Sequence, residues 1–355
     1  MPSFFINRVT GKCPPSGRFC FILGCRRLGF AVLMLALILV GLPALLARGC
    51  SREKLPSGTG PRGPEIRLQI EPDLVVSLPL EEYLIGVVAA EMPASFHPEA
   101  LKAQAVAART YALHRLTSGS RDEKHPGAHL CADPGHCQAW IPRAEMRRRW
   151  GLVRFHFYYG RIADAVRATT GEVLVYQDRL IDPVYHASCG GKGTEDAVEV
   201  WGREVPYLKG VPCTWDPPHR MQPVLASLSL QDFFARLGLN ESAVPAGQGL
   251  GGPVQVLERT RSGRVKKVRV GTRVFRGVDF RESLGLRSTD FTVRATGNQV
   301  IFSTRGYGHA VGLCQYGAQG LALQGRTYRQ ILTYYYRGVQ LKVSDRNSAS
   351  GKGRR

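Results

Sequence analysis

Three stretches of this chain carry side chains that could do chemistry. The first is Glu91 in GVVAAEM, a carboxyl flanked by Val87, Val88, Met92 and Phe96. Apolar neighbours disfavour its charged form and raise its pKa, which is what a general acid needs near neutrality. Lys102 and Arg109 follow, seven residues or two helical turns apart, and so share a helix face. One carboxyl and two cations could meet at one site. By spacing alone, a capping glutamate and a solvated cationic face are the preferred account.

The second stretch is HPGAHLCADPGHCQAW, in which His125, Cys131, His136 and Cys137 lie within thirteen residues and His129 is a fifth candidate. Two imidazoles and two thiolates make a closed tetrahedral zinc set. The spacing is not that of a zinc finger, and a Cys131–Cys137 disulfide in an exported loop is the rival reading. The third stretch is GYGHAVGLCQYGAQG, residues 306–320. Gly306, Gly308 and Gly312 break the dinucleotide fingerprint spacing. The glycines permit tight turns that could present His309, Gln315 and Tyr316 to sugar hydroxyls and rings. A turn-rich core corner fits the composition equally well.

The elements that must position these groups are legible in outline. Residues 65–78 read as short strands, and Leu80–Ala90 as a helix with Leu80, Leu84, Val87 and Val88 on one face, closed at Met92-Pro93. A second, Ala-rich helix starts between Ser95 and Pro98 and runs to about Leu113. Residues 119–150 read as irregular, with the cationic run Arg147–Arg149. Residues 171–186 read as a hairpin, and residues 229–238 as a short amphipathic helix. Residues 253–303 alternate apolar and polar about a Ser262-Gly263 turn, and Thr327–Tyr335 reads as a final helix. Strands and helices mix without a βαβ period, which gives an α+β class. The expectation is a single large mixed domain with a substrate cleft, two subdomains being an open alternative.

The chain has 355 residues, 48 Lys+Arg and 28 Asp+Glu, a net charge of +20. This composition excludes a disordered or collagen-like chain. Residues 1–50 contribute +6 and the tail 342–355 contributes +4, so the body between them carries +10. A moderately basic body suits anionic polymers. Leu28–Ala47 is an uncharged apolar run of twenty residues preceded by Arg26 and Arg27. That is bilayer-spanning length with positive flanks on the inner side. The expected layout is a cytoplasmic N-terminus and transmembrane anchor over 1–48, a flexible linker over 49–64, a body over 65–341, and a basic disordered tail over 342–355. The expected location is the cell membrane, single-pass, with the body extracytoplasmic and no nucleic-acid partner.

Four long stretches carry a family resemblance in order: LPLEEYLIGVVAAEMPASFHPEALKAQAVAARTYAL, YHASCGGKGTEDAVEVWGREVPYLKGVPCTWD, ESLGLRSTDFTV, and GYGHAVGLCQYGAQGLALQGRTYRQILTYYYRGVQL. Together they resemble the stage II sporulation protein D family and span most of residues 65–341. The resemblance implies a membrane-anchored lytic transglycosylase that cuts peptidoglycan glycan strands, preferably denuded of stem peptides, during spore engulfment. It puts the essential acid at Glu91 and the family's cations at Lys102 and Arg109. With Tyr185, His309, Gln315 and Tyr316 these two make the expected substrate-binding set. Some members hold zinc with two His and two Cys here, which selects His125, Cys131, His136 and Cys137 over His129 for a structural site. The resemblance further implies the stage II sporulation P amidase and the M membrane protein as partners. Cys189 and Cys213 stand where members often carry small residues, and a disulfide between them is one reading of that joint departure. Two other functions stay open: a non-enzymatic wall-binding modifier that enhances a partner amidase, and a zinc hydrolase.

Overall fold

The computed structural model describes residues 63–118, 124–240 and 254–344. β1 (Glu65–Glu71) and β2 (Leu74–Pro79) pair antiparallel, with Ile66 opposite Leu78 and Leu68 opposite Val76. Ile66 and Leu68 point alternately inward and are fully buried. α1 (Leu80–Glu91) follows at once and buries Leu80, Leu84, Val87 and Val88. Its last residue is Glu91: Met92 is extended because the residue before a proline is pushed out of the helical region. α2 (Pro98–Ser118) starts on proline, where the missing N–H costs nothing, and from Ala100 to Leu113 it buries every residue but the partly exposed Lys102. A helix apolar all round is a core helix. Its alanines let α1 and the next long helix approach closely.

β3 (Leu130–Cys131) adds to β1 in parallel. α3 (Arg143–Ala168), kinked at Gly151, packs on α1 and α2. β4 (Glu172–Tyr176) and β5 (Arg179–Leu180) form a hairpin, and β6 (Tyr185–His186) leaves it. The short helices α4 (Ala197–Trp201) and α5 (Pro218–Met221) lead to a second core. There β7 (Val224–Ser229), α6 (Leu230–Arg236), β8 (Val254–Arg259), β9 (Val265–Val270), β10 (Arg273–Arg276), α7 (Gly277–Leu284), β11 (Phe291–Thr296) and β12 (Gln299–Thr304) build two three-stranded sheets, ordered β10-β9-β8 and β11-β12-β7. Phe280 lies at its centre, with the rings of Phe233, Phe291 and Phe302 at 5.7–6.2 Å. The chain then returns to the first core through β13 (Leu313–Cys314), parallel to β6, and α8 (Gln315–Leu323). α9 (Tyr328–Tyr335), opened by a Thr327/Gln330 capping box, and β14 (Gln340–Val343) on β4 complete it.

The two cores are joined by a buried ion pair. Arg264 Nη1 meets Glu195 Oε1 at 3.2 Å, and Arg264 Nη2 donates to the carbonyls of Cys189 and Gly193 at 2.7 and 2.9 Å.

The fold is α+β, assembled from several small sheets and helices. It differs from expectation at three places. Residues 143–168 form a long helix rather than ending an irregular stretch. The glycine-dense segment contains α8. Residues 171–186 do not form one hairpin, because β6 pairs with β13. The single-pass membrane localisation is corrected: no helix among the described residues is long and apolar enough to cross a membrane. The segment behind that expectation, 28–47, lies outside the described residues, as do the Lys/Arg positions of the tail beyond Lys342.

Candidate active site

Where α1 breaks, Glu91 opens onto a cleft of about 780 Å³. One wall comes from α1 and the segment Pro134–Ala139, the floor from Tyr185 and His186 of β6 with Gln315 of α8, and the other wall from Arg281, Glu282, Tyr307 and His309. The cleft therefore takes residues from both cores.

Two hydrogen bonds fix the carboxyl. Oε1 accepts from the Ala139 backbone N–H at 3.0 Å and Oε2 from Gln315 Nε2 at 3.2 Å. Gln315 Nε2 also lies 3.4 Å from Gln104 Oε1, so α2 holds the amide that holds the acid. Burial pushes the Glu91 carboxyl above the usual carboxylate range, against the pull of Gln315, Ala139 and the neighbouring Tyr185 phenol. The Tyr185 hydroxyl is itself buried beside Glu91, and among the described residues it has no well-aligned hydrogen bond. His309 and His186 are kept neutral by burial, their pKa values lowered to about 3 and about 4. They can accept or donate one hydrogen bond each without charging the cleft.

Gly86 and Gly308 make two close approaches possible. A Cβ on Gly86 would run into the Trp140 indole, and its carbonyl accepts from Ile141 N at 3.3 Å. This contact lays the Cys137–Ile141 segment along α1 and brings Ala139 N–H to Glu91. Gly308, at φ 111°, packs so closely that a Cβ on it would come within 2.7 Å of His186 Cβ.

The His125, Cys131, His136 and Cys137 donors all lie within 4.8 Å of one another. Cys131 Sγ is 3.4 Å from His136 Nδ1, and Cys137 Sγ is 3.5 Å from His125 Nε2 and 3.6 Å from His136 Nδ1. Both cysteines are free thiols. These four groups could hold a metal ion. His129 faces away, its Nδ1 accepting from Arg67 N at 3.0 Å. Cys137 lines the cleft two residues before Ala139, so the cluster fastens the segment that orients Glu91.

Of the expected substrate-binding residues, Tyr185, His309 and Gln315 line the cleft. Lys102 and Arg109 do not. Lys102 pairs with Glu99 at 2.7 Å and lies over the Tyr328 ring. Arg109 is fully buried on the opposite turn of α2, donating to both Glu81 oxygens at 3.0 and 2.7 Å and to Thr169 and the carbonyls of Glu172 and Val166. The shared-face argument assumed one exposed stripe, but of the two cations only Lys102 reaches the surface. Tyr316 packs on Phe96, with Arg220 over its ring. The Cys189–Cys213 disulfide is likewise corrected: both are free and buried. Sequence reasoning missed Tyr111, Gln138, His186, Arg281 and Glu282 as cleft residues. His186 was adjacent to a named residue, but strand alternation would put it on the other face. Nothing in the sequence pointed to α7.

Replacing Arg109 with alanine is expected to act on stability. It strips a buried guanidinium from the partly exposed Glu81 and leaves three buried acceptors unsatisfied, at about 1–3 kcal/mol each. Thermal melting should fall by roughly 10 °C. A mutant that melts normally but binds glycan poorly would return Arg109 to substrate recognition.

Fold and site together define an α+β cleft protein with a desolvated carboxyl beside a Cys/His cluster. Comparison with known proteins gives the family. The stage II sporulation protein model matches residues 71–176. Stage II sporulation protein D of Bacillus subtilis (strain 168) is 36% identical over 271 residues, covering 76% of each chain. That of Bacillus amyloliquefaciens gives the same identity and coverage. The amidase enhancer of Bacillus subtilis (strain 168) is 29% identical over 306 residues, covering 73% of this chain and 40% of its own. The chain belongs to the stage II sporulation protein D family.

Proposed function

We propose that this protein is a peptidoglycan lytic transglycosylase acting in the cell-wall remodelling of sporulation, with Glu91 as its acid and then its base. The observation that carries the reading is the Glu91 carboxyl, raised by burial, open to a cleft, and held at both oxygens by N–H donors. In this scheme Glu91 gives its proton to the glycosidic oxygen as the C1–O bond breaks. The C6 hydroxyl oxygen of the muramyl ring closes on C1, and its proton passes to the Glu91 carboxylate. No water is consumed, and the product carries a 1,6-anhydro end. Ala139 N–H and Gln315 Nε2 stabilise the carboxylate between the two transfers. Tyr185, His309 and Gln315 would meet sugar hydroxyls.

The donor set fits zinc. Zinc–sulfur bonds of about 2.3 Å and zinc–nitrogen bonds of about 2.0–2.1 Å give tetrahedral edges of roughly 3.6 Å. The observed sulfur–nitrogen separations are 3.4–3.6 Å. Four protein ligands close the site, so its role is to hold the 125–141 segment. Glycan strands are the substrate in this reading. The stage II sporulation P amidase and M protein stay in it as partners, the named activity of the amidase-enhancer relative supporting an amidase.

Digestion of purified denuded glycan with mass spectrometry of the products tests the reading. Anhydro ends support it, reducing ends point to a hydrolase, and bound but uncut glycan points to a wall-binding modifier. Glu282 sharpens the test. Its carboxylate lines the cleft, 70% exposed and 4.0 Å from Arg281. A two-carboxylate hydrolase would lose its second group in Glu282→Gln. The single-acid scheme expects that variant to keep anhydro products at a rate within severalfold of wild type. A collapse matching loss of Glu91 would refute it.

A further inference from the structure

Behind the cleft floor lies a second donor cluster that the proposed chemistry does not use. Cys189, Cys213, Asp216 and Cys314 are all buried, and one ligand atom from each lies within 4.8 Å of all the others. They come from three separate segments: the turn after β6, the loop before α5, and the end of β13. We propose that these four residues form a second metal site, a closed three-thiolate, one-carboxylate set for zinc.

Three observations carry this. First, Asp216 is buried, and no Lys, Arg or His among the described residues forms an ion pair with it. A buried carboxylate without a cation is costly, and a divalent ion among the donors supplies one. Second, the carboxylate is oriented as a metal ligand would be. Oδ2 accepts from Ser188 Oγ at 2.6 Å and Gly190 N at 2.7 Å, and Oδ1 accepts from the Cys314 thiol at 3.4 Å, the proton that a metal ion would displace. Hydrogen-bonded ligands of this kind fix the first coordination layer. Third, the Gly317 N–H at the start of α8 points at Cys314 Sγ at 3.4 Å, and Tyr335 Oη reaches Cys213 Sγ at 3.2 Å. The first contact points an N–H at sulfur as acceptor, and the second brings a hydroxyl within reach of Cys213. A disulfide would use two of the three thiols and leave Asp216 uncompensated.

Three soft thiolates and one oxygen select zinc over magnesium or calcium. Tetrahedral zinc would need sulfur–sulfur edges of roughly 3.8 Å, a contraction of under about 1 Å from the widest separation here. Binding displaces the thiol protons to solvent and changes no oxidation state. The site would stitch β6, β13 and the 213–216 loop together next to Gln315, the residue after Cys314. Gln315 is the amide donor to Glu91, so the cluster is a positioning device for the acid.

Metal analysis of the full chain, purified under reducing conditions without chelator, tests the proposal independently of any cleavage assay. Cys131→Ser/Cys137→Ser removes the first cluster and should leave one zinc per chain. After exchange, that metal should give a cobalt–thiolate charge-transfer band in the near ultraviolet, and adding Cys314→Ser should abolish it. No metal in the first variant overturns the proposal. So does an intact mass of the wild type two hydrogens light with a Cys189–Cys213 linked peptide. Should the variants fail to fold, the wild-type count decides: two zinc ions per chain keep the proposal, and one or none overturns it.

Discussion

Glu91→Gln is expected to lower glycan cleavage by roughly 10²–10⁴-fold, the range for a positioned proton donor. That is about 3–5 kcal/mol of barrier at 1.36 kcal/mol per decade. The amide is the same size and can keep the contact to Ala139 N–H, so the cleft should stay intact and still bind strands. The pH dependence has a definite sign. The Glu91 carboxyl is raised by burial, so the folded protein holds its proton to higher pH than the unfolded chain does. Where the folded state binds more protons, stability falls as pH rises, from the unfolded carboxyl value up to the raised folded one. Cleavage needs the protonated form and should fall on the alkaline side through that same raised value. Glu91→Gln removes the buried charge, and should melt no lower than wild type at neutral pH while losing activity. Rates and melting curves across pH check both halves. A variant that cleaves normally would end the assignment, and one that is inactive only because it melts early would leave the acid elsewhere.

The second large effect is expected from the His/Cys cluster, with the opposite signature. Between residues 124 and 141 the only regular structure is the two-residue strand β3. The cluster closes this segment on itself, and the Gly86–Trp140 contact lays it on α1. Zinc in small folds contributes about 10–16 kcal/mol of apparent binding energy, and a fraction of that held here would still be large. His136→Ala should drop the zinc count by one and lower melting by roughly 10 °C or more. Cleavage should fall with it, because Ala139 N–H loses its place beside Glu91. Unchanged melting with unchanged metal content would mean the cluster is only a polar loop.

How much of this was legible beforehand follows from which signals are local. Glu91 could be placed at a helix break because Pro93 enforces one within two residues. The cluster could be gathered because its donors sit on one short loop. Arg109 was misplaced because helical spacing reports which residues share a face, not whether the face is buried; six alanines in α2 were the clue that it is surrounded. α8 was hidden because glycine speaks first for turns. Here a Cβ on Gly317 would strike Tyr335 and Cys213, and one on Gly320 would strike Trp215, so both serve close packing within a helix. α3 was hidden because its outer side is polar, with exposed Leu152, Val153 and Phe157 blurring its period. The far wall of the cleft was beyond reach altogether. Arg281 and Glu282 arrive there only through the return of the chain after β12, a long-range event that no window of sequence records.

The Arg264–Glu195 pair has a consequence for how this molecule can be taken apart. Arg264 belongs to the segment with the phenylalanine centre, and Glu195 and its carbonyl neighbours to the segment with the acid. Excising either piece would break the buried pair, and Glu195 would also lose the Thr260 and Ser262 hydroxyls that donate to it. The second core is therefore not a detachable module that could be grafted or deleted at will. The two centres are bound into a single inheritance, and changes in one will be tolerated only where the other permits them.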